Sequence, residues 1–325
     1  MEHDAAHRAH GCARPDEVCL NRNLNPRYAM TRRQFLQRGG TLAVAALSTT
    51  TLSARAQDAP KPAPRKLKKG IMWGTIGVKG SVLEKMKAVK EAGFDGVELM
   101  SHMNVEEAVK ARDEVGLEIP SVCGEKHWSK PLSHPDAAVR AEGLEALKQT
   151  LRDAKAYGAG SVLLVPGVVN NEVSFDDCWK RSSEQIRLTL PLAAELGVKI
   201  SIENVWNNFI TTEQQAVRYV DEFHSPWVGW YFDCGNIIRY GDPIEWIKAL
   251  GKGIDRVHIK EYSRDEAMRT GNFGAGFKAA LHEGANNWPG IMKALREVGY
   301  AGYLTTEQGG SLADLSRALD KIIAS

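Results

Sequence analysis

The chain has 325 residues, enough for one large domain with a full core. At 43% hydrophobic and 25% charged it has an ordinary soluble composition, with no apolar run long enough to span a bilayer. The net charge of +2 is unevenly placed: residues 1–56 carry eight Lys/Arg against four Asp/Glu, which leaves 34 against 36 for residues 57–325 and no basic footprint for nucleic acid or an anionic membrane.

Residues 1–29 are polar and aperiodic. Thr31–Leu36, TRRQFL, matches the twin-arginine export pattern, and the mildly apolar run Thr41–Leu52 suits a signal core. Ala54-Arg55-Ala56 then offers a cleavage site. Residues 1–56 therefore read as an N-terminal extension plus signal peptide, with the twin-arginine machinery as partner and a periplasmic or otherwise exported destination. Met1 and Met30 both remain open as the start. Residues 57–69, rich in Pro and Lys, read as a linker. Beyond it three cysteines remain, Cys123, Cys178 and Cys234; an odd number favours buried free thiols over a disulfide framework.

From Gly70 strand and helix signals alternate. Strand Gly70–Thr75 precedes helix Ser81–Ala92, and strand Gly96–Met100 precedes helix Val105–Val115. Strand Glu118–Cys123 leads through a long loop to helix Asp136–Tyr157, and strand Ser161–Pro166 through another to helix Asp176–Leu196. Strand Val198–Glu203 and helix Thr212–Phe223 follow, then strand Val228–Asp233 and helix Pro243–Leu250. Strand Arg256–Lys260, the longest loop Glu261–Asn287 and helix Trp288–Val298 precede the last pair, strand Gly302–Glu307 and helix Ser311–Ile323. Eight βα units in about 255 residues give the size and count of an α/β protein built as a (β/α)8 TIM barrel over residues 70–325. A doubly wound sheet needs no eighth unit. Gly93, Gly116, Gly158, Gly197 and Gly299 follow helices as C-caps, so the αβ turns are short and the elaborated face lies at the strand C-termini.

Four successive strands end on a chemical side chain: Glu203, Asp233, His258 and Glu307. A charge at the end of a buried strand is costly unless something pairs with it. Oxygen ligands with one imidazole suit a divalent metal, Mn2+ above all, with Co2+ or Mg2+ also fitting. Each residue alone has a plainer reading, as a cap, an ion pair or a core histidine; the joint pattern points to one metal site. Two carboxylates beside a bound cation can remove and return a proton. His102 and His127, after the second and third strands, either hydrogen-bond a substrate hydroxyl or are surface loop histidines. Trp73, Trp128 and Trp206 either wall a substrate or pack in the core. Lys260 either polarises a substrate oxygen or pairs with Glu261. Glu98 either fixes a substrate-binding side chain or forms a structural ion pair. Gly271–Gly276, GNFGAG, reads as a flexible lid more readily than as a phosphate cradle.

SIENVWN around Glu203, YFDCGN around Asp233, VHIKEYSR around His258 and LTTEQ around Glu307 resemble the xylose-isomerase-like barrel superfamily of sugar isomerases and epimerases. The likeness spans residues 70–325 and is nearest to the ketose 3-epimerases, hydroxypyruvate isomerases and sugar-phosphate epimerases. It implies that these four residues bind the metal and that the two glutamates are also the acid/base pair. It implies a substrate contact for Arg264, and for Asn236 at a position often held by a substrate-binding histidine. LHEGANNWPGIMKAL resembles the strand-seven loop of sugar-phosphate epimerases. Two departures bear on the substrate: Phe209 stands where ketose 3-epimerases have a second glutamate, and Lys260 replaces a small residue.

The first functional expectation is thus a metal-dependent sugar isomerase or epimerase acting on free sugars, since an exported enzyme meets few sugar phosphates. The alternative is a lyase or hydrolase on 3-keto-glycosides using the same site. A sugar-binding protein without turnover is disfavoured by the intact four-residue set. An endonuclease is disfavoured by six dispersed histidines after residue 57 and the lack of a basic face. Homo-oligomer formation is left open.

Overall fold

The computed structural model describes residues 67–325; the predicted extension, the signal segment and the linker up to residue 66 lie outside the described residues. Eight parallel strands close into a barrel in chain order. They are β1 (Lys68–Met72), β2 (Gly96–Met100), β3 (Val122–Cys123), β4 (Ser161–Leu164), β5 (Lys199–Glu203), β6 (Val228–Asp233), β7 (Ile254–Ile259) and β8 (Tyr303–Thr306). The helices outside are α1 (Val82–Glu91), α2 (Val105–Val115), α3 (Ala137–Tyr157), α4 (Phe175–Leu196), α5 (Glu213–Asp221), α6 (Cys234–Ile237), α7 (Pro243–Leu250), α8 (Arg264–Thr270), α9 (Trp288–Val298) and α10 (Leu312–Ala324). Local chemistry sets their ends. Ser81, Asn104, Asp136, Ser174 and Thr212 each cap a helix through a side-chain oxygen, and Gly116, Gly158, Gly197 and Gly299 close α2, α3, α4 and α9 in the left-handed conformation.

Period-2 alternation divides each strand between two environments. Val97 and Leu99, Ile200 and Ile202, Trp230 and Phe232, and Val257 and Ile259 join the main apolar core with Met86, Leu151, Ile186 and Leu319 of the helices. Their neighbours Glu98, Ser201, Glu203, Tyr231, Asp233 and His258 are buried on the other side, inside the barrel. A smaller cluster of Cys123, Leu163, Val165, Val205 and Tyr231 fills part of that interior. Cys123, Cys178 and Cys234 are buried free thiols. Among the described residues no helix is long and apolar enough to cross a membrane.

The structure departs from the sequence reading in three places. β1 begins at Lys68 and takes two residues from the expected linker: Lys68 and Lys69 pair with Tyr303 and Leu304, and their ammonium groups reach Glu118 and Asp320. The third strand shrinks to Val122–Cys123 plus one bridge between Gly96 and Glu118, because Pro120 has no N–H to donate to a ladder. The long loop after β7 contains a short helix, α8, capped by Ser263, and a 3-10 turn over Phe273–Lys278. In the segment expected as a lid or phosphate cradle, Gly271–Gly276, residues 271–274 are exposed while Ala275 and Gly276 are buried, and Gln308 donates to the Phe277 and Ala279 carbonyls just beyond it.

One irregularity sets the phase of the site. Between β6 and β7 the register shifts, so that Trp230 faces Ile254 while Tyr231 faces Arg256 and Asp233 faces His258. Asp255 is passed over as a bulge. Its carboxylate accepts from Lys199 at 2.6 Å and Ser201 at 3.2 Å. It lies where a Cβ on Gly229 would be, so only glycine fits there. Gly229→Ala should therefore cost about 1–3 kcal/mol through overpacking. Gly253→Ala, with no atom within 4 Å of the added methyl, should stay within about 0.5 kcal/mol of wild type. Chemical denaturation of both variants checks this, and equal stability would contradict the role given to the bulge.

Candidate functional site

The inward phase of β5 to β8 brings Glu203, Asp233, His258 and Glu307 to one point, with one ligand atom from each lying within 4.8 Å of all the others. His258 Nδ1 is 2.9 Å from Glu203 Oε1, 3.4 Å from Glu307 Oε2 and 3.9 Å from Asp233 Oδ2. Asp233 ends β6 and caps the short α6, its Oδ1 accepting from the Asn236 N–H at 2.7 Å. Its Oδ2 is buried with no hydrogen-bond partner. An orphaned buried carboxylate oxygen is expensive, and it faces the other three groups. Three carboxylates and one imidazole, with that oxygen unspent, are a donor set that fits a hard divalent cation.

The electrostatics are lopsided. Burial pushes the Glu203 carboxyl up to about 7, against the hydrogen bond and charge of His258. Burial likewise pushes Asp233 up to about 6, against the charge of Lys260. At Glu307 burial acts the same way, but the His258 hydrogen bond and the Lys260 charge outweigh it and hold the group well below the usual carboxylate range. Lys260 Nζ donates to Glu307 Oε2 at 2.7 Å and sits 3.8 Å from Asp233 Oδ2. Burial keeps His127 neutral by lowering it to about 4.

Amides fix the ends of β5 and β6 together. Asn204 accepts from the Asp233 N–H and the Trp230 indole, and donates to the Asp233 carbonyl at 2.8 Å. Asn236 donates to the Asn204 carbonyl at 3.0 Å and accepts from the Trp206 indole through its own carbonyl at 3.0 Å. Above the cluster opens a cavity of about 320 Å³. Its floor holds Glu203, His258, Lys260 and Glu307, and its walls include His127, Trp128, Trp206, Asn236 and Phe277. Four of the six residues expected to contact substrate thus line it: His127, Asn236, Trp206 and Lys260. Lys260 pairs with Glu307 rather than with Glu261, whose carboxylate instead accepts from the backbone of Tyr262, His282 and Asn286 and the Trp288 indole.

His102 and Arg264 fall elsewhere. His102, at φ +66°, is tied to Ser101 beside it, to Glu125 after β3 and, through its N–H, to Asp153 of α3. Arg264 opens α8, donates to the Ile238 carbonyl at 2.8 Å and lines a separate depression with Asp242 and Ile291. Helix formation in the β7 loop carries it there. Trp73, considered as an apolar wall, lies in a 3-10 turn under Lys85 and does not line the cavity.

Glu98 contacts His258 rather than a substrate-binding side chain: its Oε1 is 3.0 Å from Nε2. Ser121 and Tyr231 donate to its Oε2 at 2.5 and 2.6 Å. Sequence reading missed both hydroxyls. The signal was available in strand parity, since Tyr231 stands two residues before Asp233 on the same face.

The chain matches the family described as xylose isomerase-like TIM barrel over residues 86–322. The L-ribulose-5-phosphate 3-epimerase UlaE of Escherichia coli O1:K1 / APEC is 25% identical over 250 residues, covering 71% of this chain and 84% of that one. The enzyme of the same name in Salmonella paratyphi A is 25% identical with the same coverage. Among solved structures, the apo 3-keto-D-glucoside 4-epimerase YcjR of E. coli superposes with a TM-score of 0.68 at 21% identity, covering 80% of this chain and 100% of that one. A D-tagatose 3-epimerase-like protein gives a TM-score of 0.68 at 20% identity, covering 79% of this chain and 97% of that one. These structural likenesses carry the fold, and the family match carries membership: the chain belongs to the xylose isomerase-like TIM barrel family.

Proposed function

We propose that this protein is a divalent-metal-dependent sugar epimerase or isomerase, with Glu203, Asp233, His258 and Glu307 holding the metal and Glu203 and Glu307 moving the proton. The observation that carries the proposal is the convergence of these four groups beneath a cavity that Glu203, His258 and Glu307 line, with Asp233 Oδ2 making no hydrogen bond. The relatives named for ribulose-phosphate epimerisation support the reaction class. A cation bound there supplies the positive charge that stabilises an enediolate when a proton leaves beside a carbonyl.

The chain's own groups do the rest. Glu307, held ionised by His258 and Lys260, is the group suited to take the proton beside the carbonyl. Glu203, near 7 and so partly protonated at neutral pH, gives its own proton from the opposite side: to the same carbon for epimerisation, to the neighbouring carbon for isomerisation. Lys260 holds Glu307 in place and presents an ammonium to substrate oxygens. His127 and Asn236 offer polar wall contacts, and Trp128, Trp206 and Phe277 cover the apolar face of a sugar and limit water access. The twin-arginine pattern supports export, and with it Mn2+ loading before export and a free sugar as substrate.

Full-length protein with Mn2+ in D2O, offered free ketoses, ketose phosphates and 3-keto-glucosides, tests the reading. Deuterium should enter beside the carbonyl and an epimer or isomer should appear. Release of an aglycone would move the assignment to the lyase alternative, and no exchange with any of them would overturn it. Glu203→Gln and Glu307→Gln should each slow exchange by about 10²–10⁴-fold, and a near-normal rate in either would remove it from the acid/base pair. Protons on Glu203 and Asp233, with values of about 7 and 6, compete with the cation. The rise in Tm on adding Mn2+ should therefore be larger at pH 8 than at pH 5.5; calorimetric scans showing the reverse would contradict the ligand set.

A further inference from the structure

We infer that Glu98 is a positioning residue for the cation site: its buried carboxylate holds the His258 ring so that Nδ1 is the atom turned toward Glu203, Asp233 and Glu307. The inference rests on the reading of that cluster as a metal centre. Glu98 lies on the inward face of β2, fully buried, and stands outside the four-residue cluster. Of the four cluster residues, His258 is the one it hydrogen-bonds.

The geometry leaves little freedom. Both His258 nitrogens face carboxylates, Nε2 at 3.0 Å from Glu98 Oε1 and Nδ1 at 2.9 Å from Glu203 Oε1, so both carry hydrogens here. A cation among Glu203, Asp233 and Glu307 would displace the Nδ1 proton and leave Nε2–H on Glu98. Nδ1 is also the atom that lies 2.9 to 3.9 Å from the three carboxylates. The Tyr231 ring packs against the imidazole with centroids 4.3 Å apart at 52°, while its hydroxyl donates to Glu98 Oε2. Turning the ring would break the Glu98 bond and lose that packing together. Ser121 and Tyr231 orient Glu98 in turn, and their two hydroxyl donors together with the imidazole N–H meet most of the carboxylate's accepting capacity. Carboxylates that hold a metal-bound histidine by its far nitrogen set its tautomer and basicity, and losing one commonly weakens metal binding about 10–100-fold.

The test is Mn2+ titration of the metal-free full-length chain, with free Mn2+ read by electron paramagnetic resonance and thermal unfolding recorded beside it. Glu98→Ala should raise the Mn2+ Kd about 10–100-fold. Glu98→Gln, isosteric and able to accept from Nε2 but uncharged, should raise it less, and it carries the test if the alanine variant fails to fold. Tyr231→Phe, which removes one donor to Glu98 and leaves Glu98 and His258 in contact, should raise it least. Nitrogen-15 spectra of the Mg2+-loaded wild type should show His258 protonated at Nε2. A purely structural Glu98 would lower Tm and leave Kd at the wild-type value in both Glu98 variants; that result overturns the inference. A wild-type chain that binds no Mn2+ would instead overturn the metal centre itself.

Discussion

Asp233 and His258 face each other across β6 and β7 only because Asp255 is skipped in the pairing. Ile254 packs toward the helices, and strict alternation from it would send His258 the same way. The bulge reverses the phase, and His258 points into the barrel. Everything at the mouth follows from that shift: the contact with Glu203 and Glu307, the bond to Glu98, and the gathering of these carboxylates around one imidazole. Gly229 makes the shift sterically feasible, and Lys199 and Ser201 keep the passed-over carboxylate paired.

Such a cluster is costly in an apolar interior unless charge and hydrogen bonds answer it. The chain answers part of the need. Lys260 reaches Glu307, Asn236 donates its N–H to Asp233 Oδ1, and Ser121 and Tyr231 donate to Glu98. Asp233 Oδ2 is what remains. A site so nearly balanced, short of one positive centre, is suited to a cation and to chemistry that develops negative charge on a substrate. The asymmetry between Glu203, raised by burial, and Glu307, held ionised by its neighbours, separates the two carboxylates in the way acid/base work requires.

Much of this was legible in the sequence because barrel architecture writes a repeated pattern. Gly116, Gly158, Gly197 and Gly299 marked helix ends, and Glu203, Asp233, His258 and Glu307 closed successive apolar runs. The β1 start was hidden because Lys68 and Lys69 carry charge yet sit at the barrel base, where salt bridges accept them. The β3 ladder was overdrawn by ignoring what Pro120 cannot donate. Arg264 was misplaced because α8 forms locally, through Ser263, inside a stretch that reads as loop. The Glu98 contact with His258 joins β2 to β7 across the barrel, a long-range pairing that no local pattern announces, although the parity of Glu98 and Tyr231 was there to be used.

The claim on which the functional reading stands is that one cation sits among Glu203, Asp233, His258 and Glu307. Crystals soaked in Mn2+ and measured for anomalous scattering test it directly. A single strong peak bonded to Asp233 Oδ2, His258 Nδ1 and the two glutamates is the expected result. Peaks only at surface carboxylates, with Lys260 still bridging Glu307 and Asp233 over an ion-free cluster, would contradict it.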